Sequence, residues 1–368
     1  MTLDSFLVPL NDLSRKPPFT QDQTDQIMGL ILKGPYLKGV HTSQFENEFS
    51  NFVGSKYALG VSSGSSALQI AFKSLGLEKE SEVIVTANSG GYSTIAALQC
   101  NLSPIFAEVS ELGILNPDSM FDHSSNPKAI VVTHLYGQAA PIDRIVAIAK
   151  ERNIFVIEDC AQAAGLKYMG KMVGSWADVS TFSFYPTKNL AAIGDAGAIT
   201  TSDDEIYQRA RWLREYGWSQ RYWAEIEGGS NFRIDEIQAL FLNFRLPQLM
   251  AMNSRRKEIW LRYQRLCVRY GVEILGSLDE SFVAHLAVLR VSDRQDFVNH
   301  MKKCRIETAI HYPFPDYVQP GMNQDNQYAL PITEMLCDNV VSIPCFPEMT
   351  EGEIIMVENA LFGYFEAI

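Results

Sequence analysis

Between residues 55 and 200, short apolar runs alternate with stretches whose apolar positions recur at helical spacing. The runs at 82–85, 104–108, 128–133, 154–158, 179–184 and 196–201 are short and many carry β-branched side chains, as buried strands do. Before and between them lie helical patterns such as 66–75 and 142–152, the latter apolar at 142, 145, 146 and 148–149. Strand–helix alternation predicts an α/β fold with a mostly parallel central sheet flanked by helices.

After Pro247 the pattern changes. A long helical stretch, about 248–270, leads into a β-like run at 282–291 and a helix near 295–304. Pro-rich turns follow at 313–320, and a last helix is predicted over about 350–365. The division implied is a large α/β domain, residues 1–246, and a smaller α+β carboxy-terminal domain, residues 247–368.

Length and composition change this picture little. The chain has 368 residues, 46% hydrophobic and 20% charged, as expected of a globular protein of about two domains. A net charge of −12 argues against a nucleic-acid partner, because no basic stripe is present to displace counterions. The first residues carry no signal-peptide pattern and no apolar run reaches membrane-spanning length, so a cytoplasmic location is expected. The six cysteines are widely spaced with no CxxC pair, which reads as reduced thiols. No HxxxH spacing occurs among the six histidines, so no metal site is predicted.

No two glycines are separated by a single residue, so a dinucleotide-binding GxGxxG turn is absent. The segment Gly165–Met172 approaches a phosphate-binding GxxxxGK loop but ends in methionine, whose thioether cannot replace the hydroxyl that holds magnesium. A better anion site is Ser62–Leu68, where serines precede an amphipathic helix and free amides collect at its positive end. Plain serine capping of that helix is the simpler alternative.

Lys188 lies in Phe182-Ser-Phe-Tyr-Pro-Thr-Lys-Asn-Leu190, an ammonium in a run that otherwise reads as core. A desolvated lysine titrates low, and only the neutral amine attacks a carbonyl. A snorkelling lysine at a strand end would have the same local sequence. Its neighbours favour chemistry. Asp159 ends a probable parallel strand, the edge where ligands of α/β sheets collect, although it could equally cap a helix. Gln162 follows three residues later, and Ser183 ends another strand. A carboxylate, an amide, a lysine and an anion-binding helix end are the parts a pyridoxal phosphate site requires, the acid keeping the ring nitrogen protonated.

At this point the chain resembles the sugar aminotransferases of the DegT/DnrJ/EryC1/StrS type, built on the fold-type I aminotransferase scaffold. The resemblance runs from Gly34-Pro-Tyr-Leu-Lys-Gly39 to Ser342-Ile-Pro-Cys-Phe-Pro347. It is carried by Ser63-Gly-Ser-Ser-Ala-Leu68, His134-Leu-Tyr-Gly-Gln138, Glu158-Asp-Cys-Ala-Gln-Ala163, Ser183-Phe-Tyr-Pro-Thr-Lys-Asn189, Gly194-Asp-Ala-Gly-Ala198 and Asn231-Phe-Arg-Ile-Asp-Glu236. The form Phe-Tyr-Pro-x-Lys-Asn, with Arg214-Glu-Tyr-Gly-Trp218 after it, looks most like the branch that aminates nucleotide-linked 3-keto-6-deoxyhexoses.

The resemblance implies a homodimeric enzyme moving an amino group from L-glutamate to a nucleotide-linked keto sugar by a ping-pong route through pyridoxal 5′-phosphate. Lys188 would bind the cofactor covalently and shuttle the proton, and Asp159 would pair with the ring nitrogen. Gln162 would sit by the ring hydroxyl, with Ala161 packed on one ring face. Ser65, Ser66 and Ser183 would take the phosphate, helped by Asn231 from a second subunit. Tyr185, His311 and Tyr312 would lie near the sugar, and Arg221 would meet its diphosphate.

Three departures stand out: Gly90 where the family usually has a ring-stacking aromatic, Ser65 where threonine is commoner, and Tyr317 for a usual histidine. For the first, either Tyr92 swings in or the ring face is covered differently. Two rivals share the scaffold. Dehydratase relatives carry histidine at the lysine position, and a non-catalytic regulatory protein would be expected to lose a cofactor contact.

Overall fold

The computed structural model describes residues 6–15, 18–322 and 328–367. Its central sheet has seven strands: β1 Tyr57–Val61, β2 Glu82–Thr86, β3 Ser103–Ala107, β4 Ala129–Thr133, β5 Phe155–Asp159, β6 Val179–Ser183 and β7 Gly197–Thr201. Their spatial order is β1-β7-β6-β5-β4-β2-β3. Strands β3, β2, β4, β5 and β6 run parallel, whereas β7 is antiparallel to both β6 and β1. The expected mostly parallel sheet is therefore present, and the six predicted strands appear with ends shifted by at most one residue.

The two-residue period of the strands divides their side chains between two cores. Val83, Val85 and Val131 pack with Ala67, Ile70 and Ala71 of the helix Gly64–Ser74. Ile84, Ile130 and Val132 face the other way, against Ile142, Ile145 and Ala149 of the helix Ile142–Glu151. Each such aliphatic burial contributes about 1.5–3 kcal/mol, and coverage on both faces explains why β4 reads as an unbroken apolar run.

A second sheet is antiparallel, with β8 Glu273–Leu275, β9 Ala287–Arg290 and β10 Val340–Ile343. The helices Leu249–Arg269, Arg294–Lys303 and Glu351–Phe365 contribute Trp260, Tyr263, Phe297 and Leu361 to its core. The β-like run at 282–291 yields only a short strand. Its first part instead bridges toward the first sheet, with Val283 N–H donating to Gly137 O at 2.9 Å and Phe282 bridging Gln138. One apolar run thus serves two cores: Phe282 enters the second, and Val283 packs beside Phe182 and Phe184.

The amino-terminal segment reaches this second core as well. Leu7 N–H donates to Arg305 O at 2.8 Å, and Val8 is buried in the second core. Among the described residues, no helix is long and apolar enough to cross a membrane. All six cysteines are free thiols.

Candidate active site

Strands β4, β5 and β6 end side by side, and Thr133, Asp159 and Ser183 at their carboxyl ends border a cleft of about 510 Å³. Parallel strands leave their terminal carbonyls and the following loops at one edge, which is why chemistry gathers there.

Lys188 follows β6 on a tight turn closed by Lys188 N–H donating to Tyr185 O at 2.8 Å. The next residue is anchored. Asn189 Nδ2 donates to Asn253 Oδ1 at 2.8 Å, and its Oδ1 meets His285 Nδ1 at 2.8 Å. The lysine presents part of its surface to the cleft, but dense protein around it removes enough water to lower its amine to about 8, against the opposing pull of Asp159.

Asp159 is buried, and its Oδ1 accepts from Ala161 N–H at 3.0 Å. Burial raises its carboxyl above the ordinary range, outweighing that amide and the attraction of Lys188. No direct ion pair joins Asp159 to Lys188 among the described residues, so both groups face the cleft without neutralising each other. A buried carboxylate lacking a cationic partner is a polar group that awaits one.

The preceding residue has a different task. Glu158 accepts from Gly174 N–H at 2.7 Å, Trp176 N–H at 3.2 Å and Ser180 Oγ at 3.1 Å, and bonds His134 Nε2 at 2.9 Å. His134 Nδ1 accepts from Ala140 N–H at 3.0 Å, so Nε2 carries the proton given to Glu158. His134, Glu158 and Cys160 come within 4.8 Å of one another. The histidine nitrogens and the Glu158 oxygens are already committed, which leaves little for a cation.

At the helix Gly64–Ser74, the first intrahelical bond runs from Ala67 N–H to Ser63 O at 3.0 Å, leaving the Gly64 and Ser65 amides outside the ladder. A Cβ on Gly64 would lie 2.7 Å from Ser183 Cβ, so glycine lets this helix end meet β6. Ser65 and Ser183 both border the cleft. Ser66 does not: its Oγ lies 2.7 Å from Ser62 Oγ and 2.8 Å from Ser63 Oγ, in a hydroxyl cluster beneath.

Ala161, Gln162, Tyr92, Tyr185, His311 and Tyr312 all border the same cleft. Gln162 accepts Tyr136 N–H at 2.6 Å and donates to the Tyr312 hydroxyl at 3.2 Å. His311 Nδ1 bonds Ser342 Oγ at 2.9 Å, and burial lowers its imidazole to about 4. The space that a Cβ at position 90 would enter is taken by the ring of Tyr312, which also meets Tyr92 edge-on at 6.4 Å. Tyr317 lies elsewhere, buried with its hydroxyl donating to Glu334 Oε1 at 2.7 Å.

Two predicted residues stand apart from this cleft. Arg221 is exposed between the short strands Trp218–Gln220 and Trp223–Ala224, its Nη2 donating to Tyr222 Oη at 2.9 Å. Asn231 is likewise exposed, bridged to Glu215. Conversely, Arg256 and His285 border the cleft without having been singled out. Arg256 had a legible signal, since it falls on the helical stripe that buries Leu249, Asn253, Ile259, Trp260 and Tyr263.

The sequence profile of the DegT/DnrJ/EryC1/StrS aminotransferase family matches residues 19–362. The chain belongs to this family. It is 37% identical to the dTDP-3-amino-3,6-dideoxy-alpha-D-galactopyranose transaminase of Aneurinibacillus thermoaerophilus, over 97% of this chain and 100% of that protein. It is 32% identical to the dTDP-3-amino-3,4,6-trideoxy-alpha-D-glucose transaminase of Streptomyces venezuelae, over 98% and 97% of the two chains. Among solved structures, S. venezuelae DesV in complex with a ketimine intermediate superposes with a TM-score of 0.92, at 31% identity and 99% coverage of both chains. NtdA from Bacillus subtilis, with bound cofactor PMP, gives a TM-score of 0.88 at 28% identity, over 99% of this chain and 88% of that one. The fold is that of these aminotransferases.

Proposed function

We propose that this chain is a pyridoxal-phosphate-dependent transaminase that aminates a nucleotide-linked keto sugar, a dTDP-3-keto-6-deoxyhexose being the substrate class its relatives suggest. L-glutamate is the proposed donor, and the two half-reactions alternate in ping-pong order. The observation that carries this reading is that one cleft is bordered by a desolvated Lys188 amine and a buried Asp159 carboxyl, the latter in no direct ion pair among the described residues.

The residues fit the cofactor. Pyridoxal phosphate bound here supplies an electron sink that makes the α-proton of an amino acid acidic. Lys188 would hold it covalently, and the same amine, once free, is the base that moves the proton. Asp159 would face the ring nitrogen, whose positive charge offsets the cost of a buried carboxylate. The Gly64 and Ser65 amides and the Ser65 and Ser183 hydroxyls would take the phosphate, with Ser66 supporting that turn from below. Ala161 would leave room for one ring face, and Gln162 would orient the ring hydroxyl while fixing Tyr312. Tyr92 would shield the cleft from its half-exposed position, and Tyr185, His311 and Tyr312 would contact the sugar.

A homodimer with shared sites gives the remaining two residues a place. Asn231 would reach a neighbour's phosphate group and Arg221 a neighbour's sugar diphosphate, which suits their exposure here. The helix Gln21–Lys33 leaves Met28, Ile31 and Leu32 exposed, an apolar face suited to a second copy. A cytoplasmic location is in keeping with such a substrate.

The test is spectroscopic. The purified protein should trap pyridoxal phosphate on Lys188 with borohydride, and L-glutamate should bleach the cofactor's visible absorbance. Adding members of a keto-sugar panel should then restore it. A protein that takes up no cofactor in a reducible linkage sinks this reading.

A further inference from the structure

Arg256 is a cation set into the wall of the cleft with no ion-pair partner among the described residues. It comes from the long helix Leu249–Arg269, is only 4% exposed, and borders both the cleft and a smaller cavity next to Lys188. Its Nη1 donates to the carbonyl oxygens of Cys345 at 2.6 Å and His285 at 3.3 Å, which are neutral acceptors. Nε is buried with no hydrogen-bond partner. No carboxylate among the described residues reaches ion-pair distance, although Glu348 in the smaller cavity attracts it from further away. Desolvating a guanidinium is costly, and its planar fork is shaped for a carboxylate.

The other basic groups bordering the cleft are already accounted for. Lys188 is the proposed reactive amine. His285 is pushed well below the usual histidine range by burial, and His311 to about 4, so both are neutral near pH 7. Asp159 and Asp195, which also border the cleft, repel an anion from their own surroundings. An entering carboxylate therefore has Arg256 as its permanently charged partner.

We propose that Arg256 binds a carboxylate of the amino-acid donor and so sets which amines this enzyme accepts. The inference rests on the transamination reading above. It assigns donor recognition to a residue outside all the motifs of the sequence analysis.

The experiment uses the holoenzyme with Arg256→Gln and Arg256→Lys, measuring the two half-reactions separately in single turnovers. The apparent dissociation constant for L-glutamate should rise about 10- to 100-fold in R256Q, the loss expected for a charge-assisted hydrogen bond, and less in R256K. Amination of the sugar by pyridoxamine-loaded enzyme should change far less, because the sugar ring offers no carboxylate. Glutarate, which cannot react, should lose binding by the same factor as glutamate. L-alanine separates the two carboxylates. An equal loss for alanine and glutamate assigns Arg256 to the α-carboxylate, and a loss confined to glutamate assigns it to the side chain. Unchanged glutamate and glutarate binding, or equal damage to both half-reactions, overturns the proposal. R256K carries the comparison if R256Q fails to fold. An unmodified enzyme that ignores glutamate would refute the donor, and the glutarate titration would still decide the role of Arg256.

Discussion

The ring of Tyr312 rests against Gly90, where any side chain on residue 90 would have to sit. A Cβ built there would approach Tyr312 Cε1 to 2.7 Å, and Gly90 also holds a left-handed φ of +79°. Two residues far apart in sequence thus compete for one volume, and the Tyr312 ring holds it. Gly90→Ala should therefore displace Tyr312 and strain the turn, costing about 1–3 kcal/mol of stability in urea unfolding. The apparent KM for the sugar should rise with it. Unfolding and KM matching the unmodified protein would show that the Tyr312 ring does not need this space.

Lys188 should capture cofactor in a pH-dependent way set by its depressed titration near 8. At pH 7 roughly one amine in ten is then neutral, against fewer than one in a thousand for a solvated lysine. Capture by apoenzyme, followed by stopped-flow absorbance, should accelerate from pH 6 to 8 and level off above about 9. Lys188→Ala should trap nothing with borohydride. A capture rate flat across this range would contradict a titrating Lys188.

Asp316 should make the protein less stable as pH rises. Its Oδ2 accepts from Thr94 Oγ1 at 2.5 Å, Oδ1 is buried without a partner, and burial pushes the carboxyl up to about 7. Between about pH 4 and 7 the folded chain holds a proton there that the unfolded chain has released, so stability falls across that window. Asp316→Asn should flatten the fall and gain at most a few kcal/mol at pH 8. Denaturant titrations at pH 5 and 8 would decide it; an identical pH slope in the variant counts against a buried neutral acid.

Glu158 should matter for folding and much less for chemistry. Its carboxylate gathers Gly174, Trp176, Ser180 and His134 in a site with no exposure. Glu158→Ala leaves these donors unpaired and should cost about 3–5 kcal/mol. Glu158→Gln, which keeps the shape, should cost less. Thermal unfolding of the two variants gives the order, and equal melting temperatures would argue against a structural role.

Much of the polar lining of the cleft is legible in the sequence. Asp159 was marked by its place at the end of an apolar run, Lys188 by its apolar company, and Ser65 by the serine cluster ahead of an amphipathic helix. These signals are local: strand ends, helix starts and desolvating neighbours are written within ten residues or so. Strand β1 escaped because Ala58 and Gly60 weaken its β signal. Its place is instead decided by antiparallel pairing to β7 and by Ile234, whose Cγ2 would lie 2.8 Å from a Cβ on residue 60.

The sequence by itself determined the α/β alternation, the family and the candidacy of Lys188 and Asp159, because each depends on short-range pattern. Only the tertiary structure decided that Tyr312 occupies the space over Gly90, that Ser66 turns beneath the start of its helix, and that Arg256 meets no counter-ion among the described residues beside Lys188. These are relations between segments up to 222 residues apart. A side chain's burial and partners belong to the packed chain, and no local periodicity encodes which distant residue will share its volume or leave its charge unmatched.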